Sequence, residues 1–403
     1  MGIRQFLALR KARKTLNEMR VHARGLYHMR RDIMPPDDAA RLRQAMDEAQ
    51  RCRRGGNMDE VARARGGLED ALENWAPLHR NGWTENFEVL VVALGVAMAF
   101  RCYLFQPFKI PTGSMQPTLY GIHSEQRDGP GILDRSPLKQ LKWLVTGDWY
   151  REVRVAAGGQ ILPLIGDDSK PGYIAFQVAG RRYHVPSDAV SYQGRDDRYQ
   201  AVKIGDRLFT IPIYRNVQPR EDGLIAPGAV LWSGIVHSGD HVFVNRIVWN
   251  FRRPRRGEVM VFSTQGIRGL PQGTHYIKRM AGLPHEAVGI RPPELLIGGK
   301  PITEPDTIGR LVRKEKLADW APPYAGYQVI GTRVPPSEIT YEPALRTAED
   351  TVTLGAYEYY ALGDNTGNSK DSRYWGVVPE RNLLGPACVV YWPFASPRFG
   401  GID

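Results

Sequence analysis

Cysteine is scarce in this sequence: three residues in 403, at Cys52, Cys102 and Cys388. They lie far apart and form no Cys-x-x-Cys pair, which excludes a disulfide framework, a thioredoxin-type redox motif and a thiolate metal cluster. All three are expected as free thiols. The opening turns lack a sustained apolar stretch, since Arg4, Arg10, Lys11 and Arg13 interrupt it, so no cleavable secretory leader is expected there. Negative charge is in deficit, 43 Asp and Glu against 54 Lys and Arg, for a net +11. Such an excess suits nucleic acid, an anionic membrane surface or plain solubility, and only the placement of the basic residues separates these. The length exceeds what one compact core usually holds, which implies a main domain with substantial additions.

Long apolar runs are nearly absent, and the one exception is informative. Val89 to Phe100 is uninterrupted, and Phe87 to Phe105 extends it past only Glu88, Arg101 and a few weakly polar groups. At about 1.5 Å per residue, such a helix reaches across a hydrocarbon core ~30 Å thick. A buried soluble helix competes, but Arg101 can snorkel from the end and an Arg-rich stretch precedes residue 81. The expectation is one transmembrane helix over 86–106, with the amino terminus cytoplasmic and everything beyond it outside.

Residues 1–80 carry 17 Lys and Arg and 11 Asp and Glu, with apolar residues near helical spacing and breaks at Pro35-Pro36 and Gly55-Gly56. Two or three helices follow, with starts near Asp37, Asp38 and Asn57. Interleaved acids and sparse aromatics argue against nucleic acid, which leaves a solvated cytoplasmic helical region near anionic lipid. After Gln106-Pro107 the texture becomes short alternating strands, as in Arg151 to Val155, Tyr183 to Val185, Ala201 to Ile204, Leu208 to Ile213 and His241 to Val244. The fold class is therefore mainly β. Residues 121–235, rich in strand patterns, and 303–355 hold no chemistry-bearing constellation and read as two insertions.

Three segments do carry chemistry. Phe108 to Leu119 places Ser114 after a glycine, between Pro111 and Pro117, in a stiff exposed loop whose backbone N–H groups can meet an oxyanion. In Tyr276 to Pro284, Lys278 follows a β-prone apolar pair and points opposite to Ile277. Burial would lower its pKa and free its amine to take a serine proton. Gly363 to Gly376 is a dense polar loop in which Asp371 and Arg373 can pair and Ser369 can bond a lysine amine. It lacks the Asp/Asn alternation and closing Glu of a calcium loop, so no metal is expected.

In this order after one membrane helix, the segments resemble the motif boxes of type I signal peptidases, the serine–lysine proteases of bacterial export. Ser238 to Arg246 is similar to the family's Gly-Asp-x-x-x-Val strand, and Leu295 to Ile302 to its Ile-Asn-Gly hairpin, with Gly298 where Asn is usual. The resemblance covers 86–120, 236–302 and 356–393, and implies a signal-peptidase-like β catalytic core over 107–120, 236–302 and 356–403. It implies Ser114 as nucleophile and Lys278 as general base. It further implies an oxyanion hole from the Ser114 N–H and the Thr112 hydroxyl, Ser369 orienting the lysine, Asp371, Arg373 and Asp364 as support, and Phe108, Ile110 and Ile277 lining small apolar pockets. Such pockets would accept Ala-x-Ala signal peptides of exported preproteins at the outer face of the bacterial inner membrane. Beyond those peptides and the bilayer, the translocation machinery is a further partner; no cofactor and no nucleic acid are implied. Two other readings compete. Self-cleaving serine–lysine repressors are soluble and carry a DNA-binding amino terminus, and a membrane-tethered non-catalytic β-rich binding protein would be expected to have lost part of the set.

Overall fold

The computed structural model describes residues 3–73, 75, 82–163, 170–214, 217–331, 339 and 345–402. Residues 76–81 of the amino-terminal region and its linker, and 164–169, 215–216, 332–338 and 340–344 of the two expected insertions, lie outside the described residues. The chain forms two compact units that divide after Val96.

The first unit holds helices α1 (Ile3–Arg30), α2 (Pro36–Gly55) and α3 (Met58–Leu72). Pro36 opens α2, where its missing N–H costs nothing, and Asp37 and Asp38 occupy the first turn beside the positive end of the helix dipole. Asn57 caps α3 in a reciprocal box: Glu60 N donates to Asn57 Oδ1 at 2.9 Å, and Asn57 N donates to Glu60 Oε2 at 2.8 Å. Leu16, Leu42, Ala49 and Leu68 are fully buried and join the three helices into one core. Asn57→Ala is expected to cost about 1 kcal/mol, read as a lower urea midpoint of the helical circular dichroism signal.

Helix α4 spans Gly82–Tyr103, and within it Asn86–Tyr103 is long and apolar enough to cross a membrane by length and composition, with mean hydropathy 1.5 and no residue buried. The apolar helix was expected to run to 106, but Phe105 and Gln106 already belong to strand Phe105–Lys109. The cause is local. Pro107 disfavours helical geometry at the residue before it, so Gln106 is extended and pairs with Val244.

The second unit is mainly β. Its largest sheet is antiparallel and runs Phe105–Lys109, His241–Asn245, Leu383–Trp392, Val259–Ser263, His275–Gly282, Glu358–Leu362 and Val378–Pro379, with Gly400–Gly401 added alongside Leu383–Trp392. Irregularities of register where Leu383–Trp392 meets its two long neighbours increase the local twist, so the sheet curls. The hairpin Glu294–Ile297 to Lys300–Ile302 turns on Gly298 (φ 58°) and Gly299 (φ 76°). A two-residue turn with both φ positive suits Asn-Gly and Gly-Gly alike, so glycine at 298 keeps the geometry.

The segment from 121 onward leaves and rejoins the large sheet at one place, since His123 pairs opposite His237. Between them lie further small antiparallel sheets around a core of their own that includes Val155, Ile161, Phe176, Val185, Val202, Phe209 and Trp232. Residues 303–355 behave differently. Ile308, Leu311, Tyr324, Tyr327, Leu345 and Val352 share one cluster with Val288, Ile290, Leu295, Tyr360 and Leu362, so the described part of this stretch packs against the core without a cluster of its own.

Candidate functional site

Ser114 sits in a one-turn 3-10 helix, Gly113–Met115, pinned from below by Met115 and Leu119, both fully buried. The dense polar loop holds it from the side: Asn365 N donates to Ser114 O at 3.1 Å, and Asn365 Nδ2 to Gly113 O at 3.1 Å. Strand His275–Gly282 brings Lys278 to the same point, 164 residues away in sequence, where Nζ donates to Ser114 Oγ at 2.6 Å and to Ile277 O at 2.9 Å. Ser114 is 8% exposed and Lys278 4%. Burial lowers the pKa of the Lys278 ammonium from 10.5 to about 8, although Asp371 and Asp364 pull the other way. An amine that loses its charge near pH 8, at hydrogen-bond distance from a hydroxyl, can accept that hydroxyl's proton.

The polar loop is held by two buried ion pairs. Arg373 Nε meets Asp371 Oδ1 at 2.7 Å and its Nη2 meets Oδ2 at 2.9 Å, the bidentate geometry in which both charges are compensated. Asp371 also accepts from Gly363 N at 3.0 Å, and Arg373 donates to Thr366 O, Ser369 O and Gln328 O. The second pair joins Asp364 to Arg279, at 2.8 and 2.7 Å, with both side chains inaccessible to solvent. Thr118, four residues after Ser114, donates to Asp364 at 2.5 Å, so the serine loop hangs from this pair.

Each expected site residue can now be placed. Ser114, Lys278, Asp364, Ser369, Asp371 and Arg373 are all buried and come together. Lys278 bonds Ser114, whereas Ser369 Oγ has no hydrogen-bond partner among the described residues. Ser369 is nevertheless close by: a Cβ on Gly363 would stand 2.1 Å from Ser369 Oγ and 2.6 Å from Ser114 O, so only glycine fits at 363. Thr112 is exposed, just before the 3-10 turn, and its side chain does not cap that turn. Ile110 is buried, and Phe108 and Ile277 are half-buried against the same apolar cluster, which gives the site a partly apolar wall.

Several residues escaped the sequence reading. Arg279 is one, although a second cation beside a buried lysine demands an acid on the opposite face of the strand. Tyr324, whose hydroxyl lies 2.9 Å from Thr118 Oγ1, and the carbonyls of Gly326 and Gln328, which accept from Thr366 and Arg373, all come from 303–355. Asp240 is a third case. It accepts from Tyr120 N at 2.7 Å and pairs with Arg398 through two bonds, fastening the end of the serine loop to the carboxy-terminal strand region.

A buried hydroxyl–amine pair on a curled antiparallel sheet defines a class of site in which lysine stands where many hydrolases place histidine. Residues 233–392 match the family described as signal peptidase, peptidase S26. A signal peptidase I of Leptolyngbya laminosa is 30% identical over 157 residues, 38% of this chain and 61% of the relative. Signal peptidase I of Pseudomonas aeruginosa is 26% identical over 193 residues, covering 41% and 62% of the two chains. Signal peptidase I T of Bacillus subtilis is 29% identical over 164 residues, covering 40% and 70%. A crystal structure of a signal peptidase I from Enterococcus faecalis matches 34% of this chain and 97% of its own at 25% identity, with a TM-score of 0.21. The match thus spans about three fifths of the first two relatives' length, 61% and 62%. Part of the chain is thus similar to the peptidase S26 family and to type I signal peptidases. Lys278 and the Gly363–Gly376 loop lie within the matched region, and Ser114 precedes it.

Proposed function

We propose that this chain is a membrane-anchored serine endopeptidase that removes signal peptides from exported preproteins by cutting after Ala-x-Ala-like sites. The observation that carries the reading is the 2.6 Å contact between Lys278 Nζ and Ser114 Oγ, with both groups withdrawn from water. Ser114 Oγ bonds to the scissile carbonyl carbon while neutral Lys278 takes its proton. The Ser114 N–H and the Thr112 hydroxyl receive the oxyanion. The C–N bond then breaks, Lys278 returns the proton to the leaving amine, and a water activated by the same amine hydrolyses the acyl-enzyme. Ser369 orients Lys278 once the serine hydroxyl is engaged with substrate, and the Asp371–Arg373 and Asp364–Arg279 pairs keep the loop in place. Phe108, Ile110 and Ile277 line small pockets that reject bulky side chains. The core is assigned to 107–120, 236–302 and 356–403. Helix α4 crosses the bacterial inner membrane with the amino terminus cytoplasmic and holds the site on the periplasmic side. There the embedded signal peptide, delivered by the translocation machinery, reaches a high effective concentration.

The test is cleavage of an Ala-x-Ala preprotein by the full chain in detergent, with the product's amino-terminal sequence determined. A product beginning directly after the second alanine supports the reading, and silence across several preproteins moves the non-catalytic binding protein to the front. The pH profile is a separate check. With Lys278 at about 8, the neutral fraction falls about tenfold per unit below that value. The rate is therefore expected to climb with pH to a plateau above pH 8, and Ser369→Ala is expected to move the midpoint. Stability follows the same sign. The folded chain binds fewer protons than the unfolded one between about 8 and 10.5, so this lysine's contribution makes the fold more stable as pH rises through that window. A flat profile between pH 6 and 9 would remove Lys278 from the role of base.

A further inference from the structure

The segment between residues 121 and 235 has no part in the chemistry above, yet it carries the most conspicuous apolar surface of the second unit outside α4. Helix α5, Leu138–Thr146, starts after Pro137 and stops at Gly147, whose φ of 72° ends it, and none of its residues is buried. Leu141 is 62% exposed and Leu144 50%, and the short turn before the helix adds Ile132 at 81% and Leu133 at 57%. Scattered apolar residues on a surface are ordinary, but a cluster in one segment of about fifteen residues marks something that covers it.

Two further observations say what covers it. The first is charge. The acid between the turn and the helix, Asp134, is buried and spent internally, accepting from Lys142 Nζ at 2.6 Å and Gly131 N at 2.9 Å. Arg135 is exposed, and the Lys139 ammonium lies over the Trp149 ring at 3.8 Å from its centre. Arg135 and Lys139 thus stand beside the patch as cations not paired to Asp134. The second is continuity with the apolar helix. Aromatic rings follow one another from Phe100 in the last turns of α4 to Phe105 (5.6 Å), Phe243 (6.4 Å), Tyr391 (4.2 Å), His241 (6.0 Å), Trp392 (4.6 Å) and Trp143 in α5 (5.3 Å). A run of aromatics leading from the apolar helix to exposed leucines, with Arg135 and Lys139 beside them, has the composition of a surface that lies at a lipid headgroup boundary.

We propose that α5 and the turn at Ile132 and Leu133 rest on the outer surface of an anionic bilayer, as a second membrane contact in addition to α4. The apolar side chains enter the headgroup–acyl boundary while Arg135 and Lys139 meet lipid phosphates. The inference rests on α4 as a membrane span and not on the serine–lysine chemistry.

The experiment uses the full chain with Cys52, Cys102 and Cys388 replaced by serine, reconstituted in phosphatidylethanolamine–phosphatidylglycerol nanodiscs. A nitroxide is placed in turn by Leu141→Cys, Leu144→Cys, Val92→Cys in α4, and Tyr192→Cys, an exposed position elsewhere in the same segment. Collision rates are measured with oxygen, which concentrates in lipid, and with a water-soluble nickel chelate. The expected result is an oxygen-to-nickel ratio several-fold higher at 141 and 144 than at 192, with 92 higher still. A ratio at 141 and 144 equal to that at 192, while 92 remains deep in lipid, overturns the inference and leaves the span intact. If 92 is also aqueous, the membrane reading of α4 itself fails. Protection of 141 and 144 from both reagents marks a protein contact, a partner or a second copy, and equally overturns the lipid proposal.

Discussion

Lys278→Met is expected to lower the cleavage rate at least about a thousandfold at pH 8, because Lys278 is the group at hydrogen-bond distance from the Ser114 hydroxyl among the described residues. Methionine is the informative replacement. It occupies similar volume without charge, so it fits a slot that is 4% exposed and leaves no buried ammonium to solvate. Thermal stability should therefore hold or rise while activity collapses, which separates loss of a base from loss of fold. Ser114→Ala should be as damaging, and the double variant no worse than either single one, since two residues acting as a unit do not contribute additively. Single-turnover cleavage with melting curves of the three variants measures all of this. A Lys278→Met rate within tenfold of wild type would end the dyad reading.

Asp364→Ala carries the largest expected loss of stability, about 3–5 kcal/mol, because it leaves Arg279 charged, fully buried and without its bidentate partner. The same change frees Thr118 from its 2.5 Å anchor, so the serine loop loses support on one side. Activity should fall with stability. Arg279→Met combined with Asp364→Leu separates the two effects: with neither charge left, most of the stability should return, whereas the hydroxyl of Thr118 still lacks its acceptor and turnover stays low. Urea unfolding of the wild type, Asp364→Leu, Arg279→Met and the double variant closes a double-mutant cycle and gives the coupling. A cost below about 1 kcal/mol for Asp364→Ala would mean that water reaches the pair and that the network carries little of the loop's rigidity.

Much of this was legible in the linear chain, and the legible parts share a physical cause. Signals that live within a few residues can be read directly: the apolar run at Val89 to Phe100, the helix start at Asn57, the alternation in His241 to Val244, the glycine at 298 in its hairpin turn, and the two-residue spacing that lets Asp371 and Arg373 pair. Ser114 and Lys278 could be singled out because an unusual serine loop and a lysine in an apolar strand are local oddities, and the resemblance joined them. The tertiary structure decided what no window contains. Lys278 reaches Ser114 across 164 residues, and Arg279 finds Asp364 across 85. The polar loop is braced by carbonyls of Gly326 and Gln328, which were invisible because every residue type offers the same backbone acceptor. Ser369 Oγ has no hydrogen-bond partner among the described residues, although it was expected to bond Lys278, since hydroxyl contacts depend on fractions of an ångström. The sequence by itself determined which groups were available and which elements would present them, because propensity, patterning and capping act locally. Only the packed sheet decided which groups meet, how far each is withdrawn from water, and hence that this lysine loses its proton near pH 8, because desolvation is a property of everything that surrounds a side chain at once.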